Sequence, residues 1–266
     1  MQDESTQRSG FQERAIVRHR GATVVAATDK VAEEVPVALV FNGISHAVMM
    51  ATPRDLEELA VGFALTEGIV ASKSEIYEVE EHILPNAAEV QLTIAQGAFM
   101  KLKEHRRSLA GRTGCGVCGI ESLELLDLQP ERIEAAPLPG PVQPAIARAA
   151  AELGQHQALQ RATGGVHAAA WCSADGAVLK VCEDVGRHNA LDKLIGHLAL
   201  DGVDMQNGFV FMSSRASYEL VRKAARMNIP MLATISAPST LAIDIAAEAG
   251  IKLVSFCRQD GCVEYT

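Results

Sequence analysis

No apolar run in these 266 residues reaches the roughly 20 positions that a membrane-spanning helix needs. The opening stretch, 1-MQDESTQRSG-10, lacks the apolar core of a secretory signal. The sequence therefore predicts a cytoplasmic protein, in a compartment that keeps thiols reduced. Excess positive charge is also missing. The net charge is −9 and the pI about 5.4, which argues against a general nucleic-acid binder. Aromatic residues make up only 4% of the chain, yet hydrophobic residues make up 48%, enough for one large domain or two small ones. Nucleotide-binding signatures are absent: there is no G-x-x-x-x-G-K-[ST] and no G-x-G-x-x-G. The six cysteines do not read as a disulfide framework. Cys172, Cys182 and Cys257 sit in apolar segments, where a free cysteine is usually core packing.

Two cysteines do have motif spacing, in 111-GRTGCGVCG-119. A C-x-x-C frame serves as half of a zinc site, as a thioredoxin-type pair, or as a carrier thiol. Ahead of it, Lys101, Lys103, Arg106, Arg107 and Arg112 form a basic run. Such a run is either a solvated face or a positive field that favours a thiolate at Cys115. A structural zinc site needs four ligands, and no second C-x-x-C is present, although His105, His167 and His188 remain possible partners. A zinc deaminase would carry H-x-E before P-C-x-x-C. Here Ala168 and Ala169 follow His167, and Gly114 precedes Cys115. A thioredoxin pair opens a helix early in a βαβ unit, whereas this pair lies among four glycines in mid-chain. The segment reads as a mobile loop whose thiol accepts and delivers sulfur as a persulfide.

Periodicity predicts strands at 22–28, 35–41 and 44–51, with a hairpin turn at Asn42-Gly43. A helix follows in 52–68, with Thr52 as N-cap, Pro53 in the first helical position and Gly68 as stop. Strands at 76–84 and 88–95 precede the cysteine loop, and a helix at 120–127 follows it. Residues 1–20 read as a disordered tail, 21–128 as an α+β sub-domain and 129–144, with four prolines, as a linker. Residues 145–266 read as an α/β domain with an at least partly parallel sheet. Its strands fall at 165–172, 177–183, 208–213, 230–235, 250–256 and 262–265, with helices at 187–200, 216–227 and 239–249.

Three strand-to-helix junctions carry unusual chemistry: 183-EDVGRHNALDK-193, 213-SSRASYE-219 and 236-SAPST-240. Ligands of open α/β sheets sit beyond the carboxyl ends of the strands, and exposed N–H groups at helix starts favour phosphate. Ser and Asp at such places also serve as ordinary caps. Three junctions in a row, two with arginine, predict a phosphate-bearing ligand held by Asp184, Arg187, His188, Ser214, Arg215, Ser236 and Ser239.

The blocks GRTGCGVCG, TGGVHAAA, EDVGRHNALDKLIG, SSRASYELVRKA and ISAPSTLAIDIA resemble those of the FdhD family, the formate dehydrogenase accessory sulfurtransferases. The resemblance runs from about residue 35 to the end. It implies a homodimeric sulfur carrier between a cysteine desulfurase and the molybdenum cofactor of formate dehydrogenase. It implies a layered fold similar to cytidine deaminases, without their zinc. It places the persulfide on Cys115, with Cys118 assisting. It implies that bis-molybdopterin guanine dinucleotide, mimicked by GDP, is held partly by a C-terminal loop, here Phe256, Cys257, Arg258, Gln259, Asp260 and Gly261. The competing readings are a zinc-dependent deaminase-like hydrolase and a chaperone that holds the cofactor without chemistry.

Overall fold

Asn42 and Gly43 both take positive φ, 45° and 79°. Such a turn matches the twist of the strands it joins. It connects β3 (Val35–Phe41) to β4 (Ile44–Ala51) as the sequence predicts. The computed structural model describes residues 9–108 and 129–266. Cys115, Cys118, the predicted helix at 120–127 and residues 1–8 lie outside the described residues, as do the side chains of His105, Arg106 and Arg107.

β3 also pairs in parallel with β6 (Ala87–Ile94), and β6 pairs antiparallel with β5 (Ile76–Leu84). The result is a four-stranded sheet in the order β4-β3-β6-β5. Asn42 fastens it: its Oδ1 accepts from the Ile94 amide at 2.7 Å, and its Nδ2 donates to the Ile94 carbonyl at 3.1 Å. Helix α1 (Leu56–Thr66) follows β4. The expected cap at Thr52 is not there. Asp55 occupies the N-cap in a left-handed conformation, φ 51°, and Thr52 is buried and engaged elsewhere. Gly68, at φ 67°, lies just past the end of α1, where a stop was expected.

Three segments behave differently from their sequence expectation. Residues 11–20, expected within a disordered tail, form β1 (Phe11–Arg20), paired in register with β2 (Thr23–Ala32). Most residues of this hairpin are exposed on both faces, so no apolar alternation marked it. Lys101, Lys103, Arg106 and Arg107 of the basic run lie on α2 (Gln96–Ser108), which buries Ala98, Phe99 and Leu102, while Arg112 lies outside the described residues. Lys103 places its ammonium 5.5 Å over the Phe99 ring. The proline-rich stretch is irregular up to α3 (Val142–His156), but it is tied down. The Ile133 amide donates to the Ala249 carbonyl at 2.9 Å, and the Glu134 and Ala135 amides donate to Asn228 Oδ1.

The C-terminal half continues with α4 (Ala158–Thr163), β7 (His167–Ser173), β8 (Val178–Asp184), α5 (Arg187–Leu200) and β9 (Gly208–Met212). It ends with α6 (Tyr218–Arg226), β10 (Met231–Thr234), α7 (Thr240–Ala249), β11 (Lys252–Ser255) and β12 (Val263–Glu264). The strands form a six-stranded sheet, β12-β11-β10-β9-β7-β8, so the whole is a mixed α/β fold. β9, β10 and β11 run parallel, whereas β7 is antiparallel to both its neighbours and β12 to β11.

The period of two divides the sheet's faces cleanly. Ala170, Cys172, Phe209, Phe211, Met231, Ala233 and Val254 pack under α3. Ala169, Trp171, Val210, Met212, Leu232 and Leu253 face the other way, into a core shared with α1, α5, α6, α7 and the four-stranded sheet. Both faces are covered, as a parallel sheet requires. Among the described residues, no helix is long and apolar enough to cross a membrane.

α1 and α5 meet at two glycines. A Cβ on Gly62 would overlap the Asp192 carbonyl, and one on Gly196 would overlap the Glu58 carbonyl. Only glycine allows the backbones this close. Gly62→Ala and Gly196→Ala should each destabilise the fold by about 1–3 kcal/mol, the cost of overpacking. Gly97→Ala on α2, where nothing lies within 4 Å, should not. Urea unfolding of the three variants checks this, and equal midpoints would refute the close crossing.

Candidate functional site

The sheet order brings the predicted junctions to one edge. β8, β9, β10 and β11 all end there, and β7 begins there, between β8 and β9. Hydrogen bonding continues past the strands. The Ser213 amide donates to the Ala168 carbonyl at 2.9 Å, Ser236 to Ser214 at 3.3 Å, Phe256 to Ser236 at 3.4 Å, and Ser239 to Ala216 at 3.1 Å. The three junctions and the loop after β11 therefore form one connected rim.

The β8–α5 junction is built on a buried ion pair. Asp184 and Lys193 are both fully buried, and Lys193 Nζ lies 2.7 Å from Asp184 Oδ2. The same oxygen accepts from the Thr52 amide at 2.9 Å. Oδ1 accepts from the Gly186 amide at 2.7 Å and from Asn189 Nδ2 at 3.0 Å. Lys193 also donates to the Thr52 carbonyl at 2.9 Å, and Thr52 Oγ1 accepts from the Val185 amide at 3.2 Å. Both Asp184 oxygens are thus engaged internally. This residue shapes the loop from beneath and offers no oxygen to a ligand.

Arg187 and Arg215 differ from it. Among the described residues neither has a carboxylate within 4 Å, and Arg215 is exposed. The starts of α5 and α6, at Gly186 and Ser217, have no side-chain cap, so their first amides are not satisfied that way. Ser239 is an ordinary cap: its hydroxyl accepts from the Ala242 amide at 3.2 Å. Ser214 is buried and donates to the Arg215 carbonyl at 3.1 Å. Ser236 joins the rim through its backbone, its carbonyl accepting from Thr234 Oγ1 at 2.9 Å.

Beyond β11, Phe256 takes φ 53° and stays exposed, while Cys257 turns inward and is buried among the residues under α3. Burial pushes the Cys257 thiol up to about 12, so it remains protonated at neutral pH. Arg258 braces the loop by donating to the Ile235 and Cys257 carbonyls, and its amide closes the turn on Gly261 at 2.8 Å. Gln259 and Asp260 are exposed.

Two histidines adjoin the rim. His167, at the start of β7, is held below the usual histidine range, first by burial and then by the nearby Arg187 and His188 charges, against the pull of Asp184. His188 Nε2 lies 3.8 Å from Glu219 Oε2. Burial alone would raise the Glu219 carboxyl, but His188, the Ser217 side chain and the residue's own amide together hold it low. At that distance the two groups are close neighbours just beyond hydrogen-bond length.

Sequence reasoning overlooked Lys193, Thr52 and Glu219. Lys193 and Glu219 stood in quoted blocks, but no local pattern shows that a lysine nine residues from an aspartate is its buried partner. A second buried network lies behind the first. Lys223 bonds both Asp192 oxygens, at 2.9 and 3.0 Å, and Thr66 Oγ1 at 2.8 Å, and it pairs with Glu67 at 2.8 Å.

The class that the fold defines is a mixed α/β protein with a partly parallel sheet, whose strand ends present two arginines without carboxylate partners among the described residues and two helix starts without side-chain caps. The chain belongs to the FdhD/NarQ family, whose model matches residues 32–266. It is 64% identical to a protein of Chromobacterium violaceum described as "Sulfur carrier protein FdhD", over 100% of this chain and 99% of the relative. It is 62% identical to a protein of Burkholderia mallei with the same description, over 98% of this chain and 97% of the relative. The fold is similar to a crystal structure described as a formate dehydrogenase accessory protein from Desulfotalea psychrophila. That likeness has a TM-score of 0.70 and 22% identity and covers 96% of both chains.

Breaking the buried pair leaves an uncompensated charge. Lys193→Met and Asp184→Asn should each cost about 3–5 kcal/mol, and the double variant Lys193→Met/Asp184→Leu should recover most of it. Chemical denaturation of the three checks this. A double variant no more stable than the singles would sink the account.

Proposed function

We propose that this chain is a sulfur carrier that takes persulfide sulfur from a cysteine desulfurase and delivers it to bis-molybdopterin guanine dinucleotide for formate dehydrogenase. The observation that carries the reading is the convergence of Arg187, Arg215 and two uncapped helix starts on one rim, in a chain whose full-length relatives are described as sulfur carriers. A guanine dinucleotide brings a pyrophosphate, and backbone amides and forked guanidinium donors suit it. Ser214, Ser236 and the 256–261 loop extend the same rim toward the rest of a long ligand. The reading carries with it a homodimer, a cytoplasmic location and the layering of cytidine deaminases.

The chemistry belongs to the cysteine pair. The Cys115 thiolate attacks the terminal sulfur of the desulfurase persulfide. That S–S bond breaks, the desulfurase thiolate leaves, and a persulfide forms on Cys115 without net oxidation. For delivery, the Cys118 thiolate attacks Cys115 Sγ. A Cys115–Cys118 disulfide forms, and the terminal sulfur leaves with the electron pair as hydrosulfide, for capture by the molybdenum of the cargo. The sulfur gains two electrons and the two cysteines lose them. A cellular dithiol then reduces the disulfide.

Intact mass after incubation with a desulfurase and cysteine tests the first half. The wild type should gain one sulfur atom, lost on reduction, and Cys115→Ala should gain none while keeping its fold. Loading of Cys115→Ala but not of Cys118→Ala would reverse the two roles. Calorimetry with GDP tests the second half. Arg215→Ala should lose about 1.5–3 kcal/mol of affinity, the worth of one charge-assisted phosphate contact. Unchanged affinity would remove Arg215 from the site.

A further inference from the structure

His188 and Glu219 face each other across two helix starts, with Ser217 and the Glu219 amide also holding the Glu219 carboxyl low. His188 is the second residue of α5 and Glu219 the second of α6, so each sits on an uncapped helix start. His188 Nε2 is buried, has no hydrogen-bond partner, and lies 3.8 Å from Glu219 Oε2. Less than 1 Å of movement would make this a hydrogen bond. Each side chain keeps 26% exposure although Nε2 itself is buried. A carboxylate facing one ring nitrogen orients an imidazole and selects which nitrogen faces it with a proton.

The surroundings decide what such a ring is for. From α5 itself comes Arg187, with no carboxylate partner among the described residues. From β7 comes His167, held below the usual histidine range chiefly by burial and by Arg187. From β8 comes Asp184, whose two oxygens already hold Lys193, Thr52, Gly186 and Asn189. From α6 comes Glu219, the one carboxylate placed to balance a charge on His188.

We propose that Glu219 and His188 form a proton-holding dyad in the anion site, in which Glu219 grips the imidazole at Nε2 and the imidazolium presents Nδ1–H to a ligand phosphate. The inference rests on the nucleotide reading above and gives it a pH dependence. Where the ring is neutral before binding, it takes one proton from solvent. Its Nε2–H donates to Glu219 and its Nδ1–H donates to the phosphate, and both are charge-assisted bonds. Glu219 is a positioning residue here, since it touches His188 and not the ligand.

GDP binding to the full-length protein, measured by calorimetry from roughly pH 5 to 8, tests this, because that is the window in which histidine titrates. The terminal phosphate of GDP titrates in the same window, so the comparison among variants decides, not the raw slope. Relative to His188→Gln, the wild type should gain about tenfold in affinity at the acid end, the worth of one charge-assisted hydrogen bond. Glu219→Gln should shift the midpoint of that gain to lower pH while leaving the acid-limb affinity near that of the wild type. His167→Gln should keep the wild-type profile. Imidazole proton resonances should show the same shift of the His188 titration without ligand. A merely structural Glu219 would alter stability but move neither midpoint. A wild-type profile that superimposes on that of His188→Gln overturns the dyad and leaves the nucleotide reading standing. A Glu219→Gln midpoint equal to the wild type's also overturns it. Absence of GDP binding at every pH overturns the nucleotide reading and the dyad with it.

Discussion

The buried ion pair of Asp184 and Lys193 is the constraint on which the candidate site depends. A carboxylate and an ammonium without solvent are costly unless every lone pair and proton finds a partner. Here nearly all do. The partners come from two parts of the chain far apart in sequence: the β4–α1 connection at Thr52, and the turn at Val185–Gly186. The pair therefore joins the four-stranded sheet to the end of the six-stranded one and fixes the backbone that starts α5. A hydrophobic substitute could match its stability. It could not direct the Gly186 amide and the Thr52 amide onto one carboxylate.

The preceding residue in the chain repeats the device in reverse. Asp192 precedes Lys193 on α5, and where Lys193 reaches back to β8, Asp192 takes a lysine from α6. Burial raises the Asp192 carboxyl, and Lys223 opposes that rise. Through Thr66 and Glu67, Lys223 also holds the end of α1. α1 is thus anchored near both ends by charges that belong to α5 and α6, and between the anchors Gly62 and Gly196 bring α1 and α5 into backbone contact. The starts of α5 and α6 carry Arg187 and Glu219. Their mutual spacing, which sets the 3.8 Å separation of His188 from Glu219, is inherited from α1.

The sequence was most legible where a local signal was sufficient. Asn42-Gly43 named its turn, and alternating strands and helices after residue 165 named a partly parallel sheet and the edge where its junctions meet. It was least legible where a residue's role depended on a distant partner. Thr52 looks like a helix cap, because serine and threonine before an apolar helix usually are. Its hydroxyl and amide are instead taken up by Val185 and Asp184, more than 130 residues on. Asp184 looks like a site residue, and only its burial shows that both oxygens are occupied. The β1–β2 hairpin escaped notice because strands exposed on both faces have no apolar period to reveal them. Ser239, by contrast, showed how a residue read for phosphate can be an ordinary cap.

Cysteine chemistry divides along the same line between burial and exposure. The four cysteines in the described residues are all pushed above the ordinary thiol range, by burial first in each case: Cys172, Cys182, Cys257 and Cys262. A thiolate is the nucleophile of sulfur exchange, so a thiol held protonated is chemically quiet. Cys257 is the informative case. It stands between exposed Phe256 and Arg258 in the loop that rims the site, yet its sulfur points into the core and donates weakly to the Val254 carbonyl at 3.7 Å. Its place in the chain would suit a second carrier; its place in the fold makes it an anchor that lets Phe256 project outward. A protein that moves sulfur gains from having its remaining thiols buried, since each reactive one would compete for the persulfide. The proposed assignment of sulfur transfer to Cys115 and Cys118 rests instead on their C-x-x-C spacing and on the basic run that precedes them in the sequence.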